Sequence, residues 1–335
     1  MTQWSKTAIK IGFSSLLAVY VFFFSGVDFR TVIGHISAAA PVWVLAASSL
    51  HISGLMLSAL RWKVLLRAQG IHQNIFRLFS YYLVGHFFNM FLPSAVGGDI
   101  VRVYDTSRDH GSAAEPFAVI LVERISGLLT LLLMAGIVLI LDLDIGLDIE
   151  TRVPGLDAAI AVFIAFIVML PFLFHPLVER IVLSVIRFVP VIRKTESIAI
   201  KLFRAFRVYK GHPGHLILAG LIGVLLQINY VIHYYLVGRA LGIHSGLAFF
   251  FVLIPVRSVA LMIPFFINGI GLREFFDATA FNLVGVDRST AVAFAELAWL
   301  IQIGFALFGG IVYVARRRRG LATGSAQVKV EQSGE

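Results

Sequence analysis

Apolar residues run in blocks near the length of a bilayer crossing, with polar residues held to short intervals between them. A crossing helix needs about 20 consecutive apolar residues. Blocks of roughly that kind lie at Ile9–Phe24, Val42–Leu60, Phe76–Phe91, Ala118–Leu141, Ala158–Phe174, His215–Leu236, Leu247–Phe265 and Thr290–Val314. Two of them break in the same way. Pro93 is followed by Gly97, Gly98, Asp99 and Arg102, and Pro264 is followed by Asn268, Gly269, Gly271 and Arg273. Each arginine stands nine residues after its proline. Non-helical backbone at membrane depth persists only where protein covers it or where it lines a polar cavity. Paired Gly/Pro interruptions at corresponding places in two halves point to a transporter's binding site. The pattern predicts an all-α polytopic membrane protein with about six full transmembrane helices and two re-entrant helical hairpins.

Composition agrees with this picture. The chain is 59% hydrophobic and 14% charged, against about 25% charged in a soluble domain, so almost no soluble domain is expected. Cysteine is absent, which excludes disulfides, thiolate metal sites and cysteine nucleophiles. A net charge of +9 on its own would fit a nucleic-acid partner, but its placement follows the positive-inside rule instead. With Lys6 and Lys10 cytoplasmic, and both interrupted segments dipping in and returning, most of the 28 Lys and Arg residues fall inside. On this topology both termini are cytoplasmic, and Arg124 and Arg257 lie within the membrane. Ile9–Phe24 with Ser37–Ala40 resembles a secretory signal, but Ala40 lies far beyond the apolar run, so a retained first helix is expected.

The same topology orders the elements as helix, helix, hairpin, helix, and then repeats that order upside down. Residues 1–141 form the first half, with its hairpin at 76–101. Residues 142–315 form the second, with an amphipathic cytoplasmic segment at 178–210 and a hairpin at 247–285. Residues 316–335 form a polar tail expected to be disordered. An inverted repeat supports alternating access around a midplane site.

The candidate chemistry sits at the breaks. A broken helix presents backbone N–H groups and the positive dipole end of its second half. Gly97 and Gly98 would let a ligand approach that backbone. Asp99 and Asn268 would cap the half-helices that carry Arg102 and Arg273. With Gly269 and Gly271 these residues form the candidate binding set for an anionic group, the arginines acting as planar bidentate partners. Glu123, Arg124, Arg257, Glu274 and Glu296 are the candidate gating and charge-compensating residues, since intramembrane charge requires a partner. Glu123 is expected to pair with Arg102, and Glu296 with Arg257 or Arg273. Tight turns and purely structural ion pairs remain the alternative at each place. Asn89, Gln227, Asn229, His233 and Gln302 read as helix-bridging residues. No nucleotide, zinc or nucleophile-elbow motif is present, and no cofactor is expected. The stretch from Glu179 to Gly214 reads as two amphipathic helices divided by Pro190, drawn to anionic head groups.

Arg61 and Trp62, Pro93 with Gly97, Gly98, Asp99 and Arg102, Glu123 and Arg124 before Gly127, and Asn268 through Glu274 together carry a resemblance. The chain resembles the lysylphosphatidylglycerol synthase transmembrane, flippase-like family from about Ile9 to Ala315. The resemblance is to the flippase half of the bifunctional synthase/flippase, without its soluble synthase domain. It implies movement of a lipid between leaflets of the bacterial cytoplasmic membrane, with membrane lipids as partners and lipid-synthesis enzymes as second candidates. Two other readings stay open. One is an integral-membrane lipid-modifying transferase, which would use external acids such as Asp28, Asp142 or Asp144. The other is a scaffold for envelope-lipid synthesis.

Overall fold

The computed structural model describes residues 27–92, 97–140, 176–188, 196–261, 266 and 268–332. The expected segments Ile9–Phe24 and Ala158–Phe174 lie outside the described residues, as do Pro93, Asp142, Asp144, Pro190 and Pro264. Among the described residues the chain is helical and has no strand. The helices are α1 (Phe29–Ser37), α2 (Pro41–Ala68), α3 (Ile75–Phe91), α4 (Gly97–His110), α5 (Ala114–Ile140), α6 (Pro176–Phe188), α7 (Glu196–Val208), α8 (Pro213–Ala240), α9 (Leu247–Leu261), α10 (Leu272–Asn282) and α11 (Arg288–Gln332). A short 3-10 turn, Tyr209–Gly211, joins α7 to α8.

Among the described residues, three helices are long and apolar enough to cross a membrane: α2, α8 and the Arg288–Arg317 part of α11. Pro41 and Pro213 stand in the first turns of α2 and α8, where a missing N–H breaks no helical bond. At 28 residues each, α2 and α8 reach about 42 Å. They pack along each other and are tied by hydrogen bonds from Asn229 Nδ2 to Ser53 Oγ at 2.7 Å and between His233 Nδ1 and the Ala47 carbonyl at 2.8 Å.

The two broken segments fold into helical hairpins. In the first, Asn89 bonds Gly98 and Gly85 lies against Arg102; moving back from the break along one arm moves forward along the other. In the second, Leu261 lies against Gly269, and Arg257 bonds Asp277, which gives the same geometry. The 17 residues of α3 span about 25 Å and the 15 of α9 about 22 Å, both short of the ~30 Å hydrocarbon core. The hairpin arms pack on helices distant in sequence: α3 lies on α11, and α9 lies on α5. Likewise α5 packs on α8, and α11 touches α2. One apolar cluster, with Phe250, Phe281 and Phe294 at its centre, joins α9, α10 and α11. A second, built around Trp62, Leu65 and Leu78, joins α2 to α3.

Two helices run past their expected ends. α2 continues beyond Leu60 and takes Arg61 and Trp62 into the interior, each nearly inaccessible to solvent. Arg61 can be buried there because its guanidinium donates to the Glu123 carbonyl and to Ser126 Oγ, both at 2.5 Å. α11 extends through the expected tail to Gln332. Extending an existing helix requires no new nucleus, and the arginines, alanines and lysine there are good helix formers.

α6 and α7 form an amphipathic pair joined by Arg187–Glu196 at 2.7 Å and Arg207–Glu179 at 3.1 Å. Gln69, the C-cap of α2, donates to the Ala205 carbonyl at 2.8 Å and docks the pair on the bundle. The opposite face of α6 leaves Leu177, Ile181, Val185 and Phe188 exposed at helical spacing.

Candidate functional site

The second break has a backbone made for a sharp reversal. Asn268, Gly269 and Gly271 have φ of 50°, 69° and 84°, the left-handed region open to glycine and tolerated by asparagine. The Gly271 N–H donates to Glu274 Oε2 at 2.6 Å, so Glu274, and not Asn268, caps α10. That frees the Asn268 side chain to cross to the other hairpin, where its Nδ2 donates to the Met90 carbonyl. The tips of the two hairpins therefore touch.

Beside that contact lies a cavity of about 410 Å³, lined by residues of α3, α8, α9, α10 and α11. Asn89, Asn268, Tyr234, Gln302, Arg257 and Arg273 give it polar walls. Arg273 stacks on Trp299 at 4.4 Å, pairs with Glu274, and has Nη2 at 3.5 Å from Glu296. Arg257 places Nε at 2.9 and 3.0 Å from the Asp277 oxygens and donates from Nη1 to Tyr234 Oη at 3.1 Å. Tyr234 Oη also accepts from Gln302 Nε2 at 3.1 Å. Each of these two arginines thus has a carboxylate, the condition for holding charge in a low-dielectric interior.

The first hairpin carries a matching charge cluster outside the cavity wall. Arg102 lies over the rings of Tyr82 at 3.7 Å and Trp62 at 4.3 Å. It pairs with Glu123 at 2.8 Å and Asp99 at 3.3 Å. Tyr82 donates its hydroxyl to Glu123, and Arg124 Nε donates to Asp99 at 2.6 Å. Asp99 sits inside the first turn of α4, and its carboxylate serves these arginines instead of capping the helix. Gly97 and Gly98 are buried. What approaches Gly98 is the hairpin's own first arm: a Cβ there would overlap the Gly85 carbonyl oxygen. The Gly98 N–H is taken by Asn89 Oδ1 at 2.7 Å. These glycines close the hairpin.

Of the expected residues, Asn268, Arg257 and Arg273 line the cavity. Gly269, Gly271, Glu274 and Glu296 stand directly behind it as turn and charge partners. Gly97, Gly98, Asp99, Arg102, Glu123 and Arg124 form the separate cluster. Asp277, Tyr234, Tyr82 and Trp299 escaped the sequence reading. Asp277 had a visible signal, an acid four residues after Arg273 in an otherwise apolar helix. Asp28 caps α1, where hydrogen bonds from the Thr31 hydroxyl and the Arg30 N–H hold its carboxyl below the usual range.

Apolar helices long enough to cross a bilayer, around an interior of paired charges and a polar cavity, define an integral membrane protein of the polytopic helical class. Residues 7–310 match the family described as the lysylphosphatidylglycerol synthase TM region, and the chain belongs to that family. It is similar to a UPF0104 membrane protein of Pyrococcus horikoshii, 24% identical over 299 residues, covering 82% of this chain and 88% of the relative. It is also similar to a UPF0104 membrane protein of Methanothermobacter thermautotrophicus, 28% identical over 282 residues, covering 79% and 82%. No solved structure matches the chain.

Proposed function

We propose that this protein is a lipid flippase that carries a lipid with an anionic head-group moiety between leaflets by alternating access. The observation that carries the reading is the meeting of the two hairpin tips, through Asn268 and Met90, at a cavity facing Arg257 and Arg273. Its volume falls in the range of roughly 300–1,000 Å³ usual for ligand sites. A phosphate-bearing head group would exchange for Glu296 and Asp277 on the two guanidinium forks, whose planar geometry suits it. An apolar groove of about 960 Å³ on α3 and α11, lined by Phe87, Phe88, Leu307 and Ile311, would accept the acyl chains. α3 serves both spaces, turning His86 and Asn89 to the cavity and Phe87 and Phe88 to the groove.

In this reading the hairpins are re-entrant, and residues 1–141 and 142–315 form an inverted repeat. Support comes from the shortness of α3 and α9 and from the exchanged packing of α3 on α11 and α9 on α5. The termini and the amphipathic α6–α7 pair face the cytoplasm, as the excess of basic residues favours. Arg102, Asp99, Glu123 and Arg124 hold the first hairpin, and the second hairpin supplies most of the binding groups.

The test is leaflet exchange of fluorescent phosphatidylglycerol in liposomes holding the purified protein, read by dithionite quenching. Protein-dependent exchange is expected. Arg273→Gln, confirmed monodisperse, should slow it about tenfold, the worth of one charge-assisted hydrogen bond of roughly 1.5 kcal/mol. Absence of exchange across anionic and zwitterionic lipids would overturn the reading.

A further inference from the structure

Three histidines from three helices meet beside the cavity, and the proposed transport cycle gives none of them a chemical role. The His51 ring on α2 lies 5.3 Å from His86 on α3 and 5.6 Å from His233 on α8, and it stacks on Phe305 at 5.0 Å. His86 belongs to the cavity wall. Backbone carbonyls fix two of the protonation sites. His233 Nδ1 lies 2.8 Å from the Ala47 carbonyl oxygen, and His86 Nε2 lies 3.2 Å from the Gln302 carbonyl oxygen. A carbonyl only accepts, so each of those nitrogens carries the ring's hydrogen. Nε2 of His233 is then a bare lone pair, buried with no hydrogen-bond partner, and Nε2 of His51 is buried without a partner as well. Groups left this way in a folded interior demand an explanation. Among the described residues no group of three or more His, Asp or Glu side chains is arranged to hold a metal ion. A proton is the ligand that fits an unpartnered ring nitrogen on each of two neighbouring histidines.

We infer that His51, His86 and His233 form a proton-binding site that couples proton movement to lipid movement; this rests on the flippase reading above. The cluster reaches the anion site through two residues. Gln302 accepts from His86 with its backbone and donates to Tyr234 with its side chain. The Tyr234 ring lies 5.1 Å from His233, and its hydroxyl takes a hydrogen bond from Arg257. His86 shares the cavity wall with Asn89 on α3, Tyr230 and Tyr234 on α8, Arg257 on α9, Arg273 on α10 and Gln302 on α11. Behind them, Asp277 and Glu274 on α10 and Glu296 on α11 neutralise Arg257 and Arg273. A proton on the cluster adds positive charge beside the arginines that hold the head group. Proton and anionic lipid therefore strengthen each other's binding reciprocally, and both travel in the same direction.

The test uses the full chain in phosphatidylcholine liposomes with a trace of fluorescent phosphatidylglycerol and an imposed pH difference. One proton with one singly charged lipid is electroneutral transfer. It should drive the lipid toward the alkaline side at a leaflet ratio of about ten to one per pH unit. His51→Gln and His233→Gln should each abolish that bias. A reading independent of lipid movement is the 15N spectrum of histidine-labelled wild-type protein in phosphatidylcholine nanodiscs. There an imidazole signal should shift as the pH is lowered and vanish in either variant. Exchange without bias overturns the coupling alone, whereas absence of exchange at every pH overturns it together with the flippase reading. A bias that survives both histidine substitutions but is lost in Glu296→Gln, or a cluster that never titrates, also overturns it.

Discussion

Replacing Arg102 with methionine removes a guanidinium that the fold holds from four sides. Its Nη2 lies 2.8 Å from Glu123, and Nη1 lies 3.3 Å from Asp99. At an effective dielectric of about 20, attraction across the shorter contact is about 6 kcal/mol. Against it stands the lost hydration of both ions, several kcal/mol each. The intact pair is thus near balance, but a single substitution forfeits the attraction and leaves Glu123 buried with its charge. Arg102→Met or Glu123→Leu alone should therefore cost about 3–5 kcal/mol. The double substitution removes both charges at similar volume, Asp99 keeps Arg124, and the Tyr82 hydroxyl loses its acceptor; it should cost about 2–3 kcal/mol, a volume-conserving core change plus one unpaired donor. The assay is a double-mutant cycle on SDS-induced unfolding in mixed micelles. A coupling energy of about 3 kcal/mol or more is expected. A value near 0.6 kcal/mol, the average for interhelical hydrogen bonds in a bilayer, would refute the reasoning that this cluster is a structural lock on the first hairpin.

Gly98→Ala should lower the unfolding temperature sharply and perturb the first hairpin, because its Cβ would overlap the Gly85 backbone. Gly220→Ala in α8, with open space around it, should be neutral or stabilise by up to about 1 kcal/mol; equal losses at both positions would count against the hairpin packing described. At the start of α11, burial pushes the Asp287 carboxyl up, but hydrogen bonds from the Thr290 hydroxyl and N–H outweigh it and hold it below its ordinary value of 3.8. A depressed carboxylate adds stability above its unfolded value that is lost as pH falls through the folded one. Unfolding measured between pH 5 and about 3 should therefore show a smaller acid loss in Asp287→Asn than in the native chain; an unchanged loss would remove this cap from the account.

Much of this arrangement can be read from the residue pattern, and the reasons differ by level. Block length and polarity are local properties, so α2, α8 and α11 are visible from hydropathy. The breaks at Gly97–Asp99 and Asn268–Gly271 are equally plain, since left-handed backbone and close approach select glycine and asparagine. Their use is not local. Gly98 looks open to a ligand until Gly85, thirteen residues earlier, is seen to occupy the same space. Arg61 looks like a loop residue because its partners, the Glu123 carbonyl and Ser126, sit on another helix. Tyr234 was hidden for a related reason, and Asp277 showed only as an acid one turn after Arg273: each gains its partner only where α8, α9 and α10 converge on Arg257. The histidine cluster is still less visible, because His51, His86 and His233 share no spacing and meet only through packing.

The central claim is that the space between the hairpin tips opens to each side of the membrane in turn. Because the native chain holds no cysteine, Asn89→Cys and Asn268→Cys each place one thiol in the cavity wall without background. In sealed vesicles of known orientation, a membrane-impermeant maleimide should label each thiol from either side, and phosphatidylglycerol should protect it from both. Labelling from one side only, unaffected by lipid, would contradict the account.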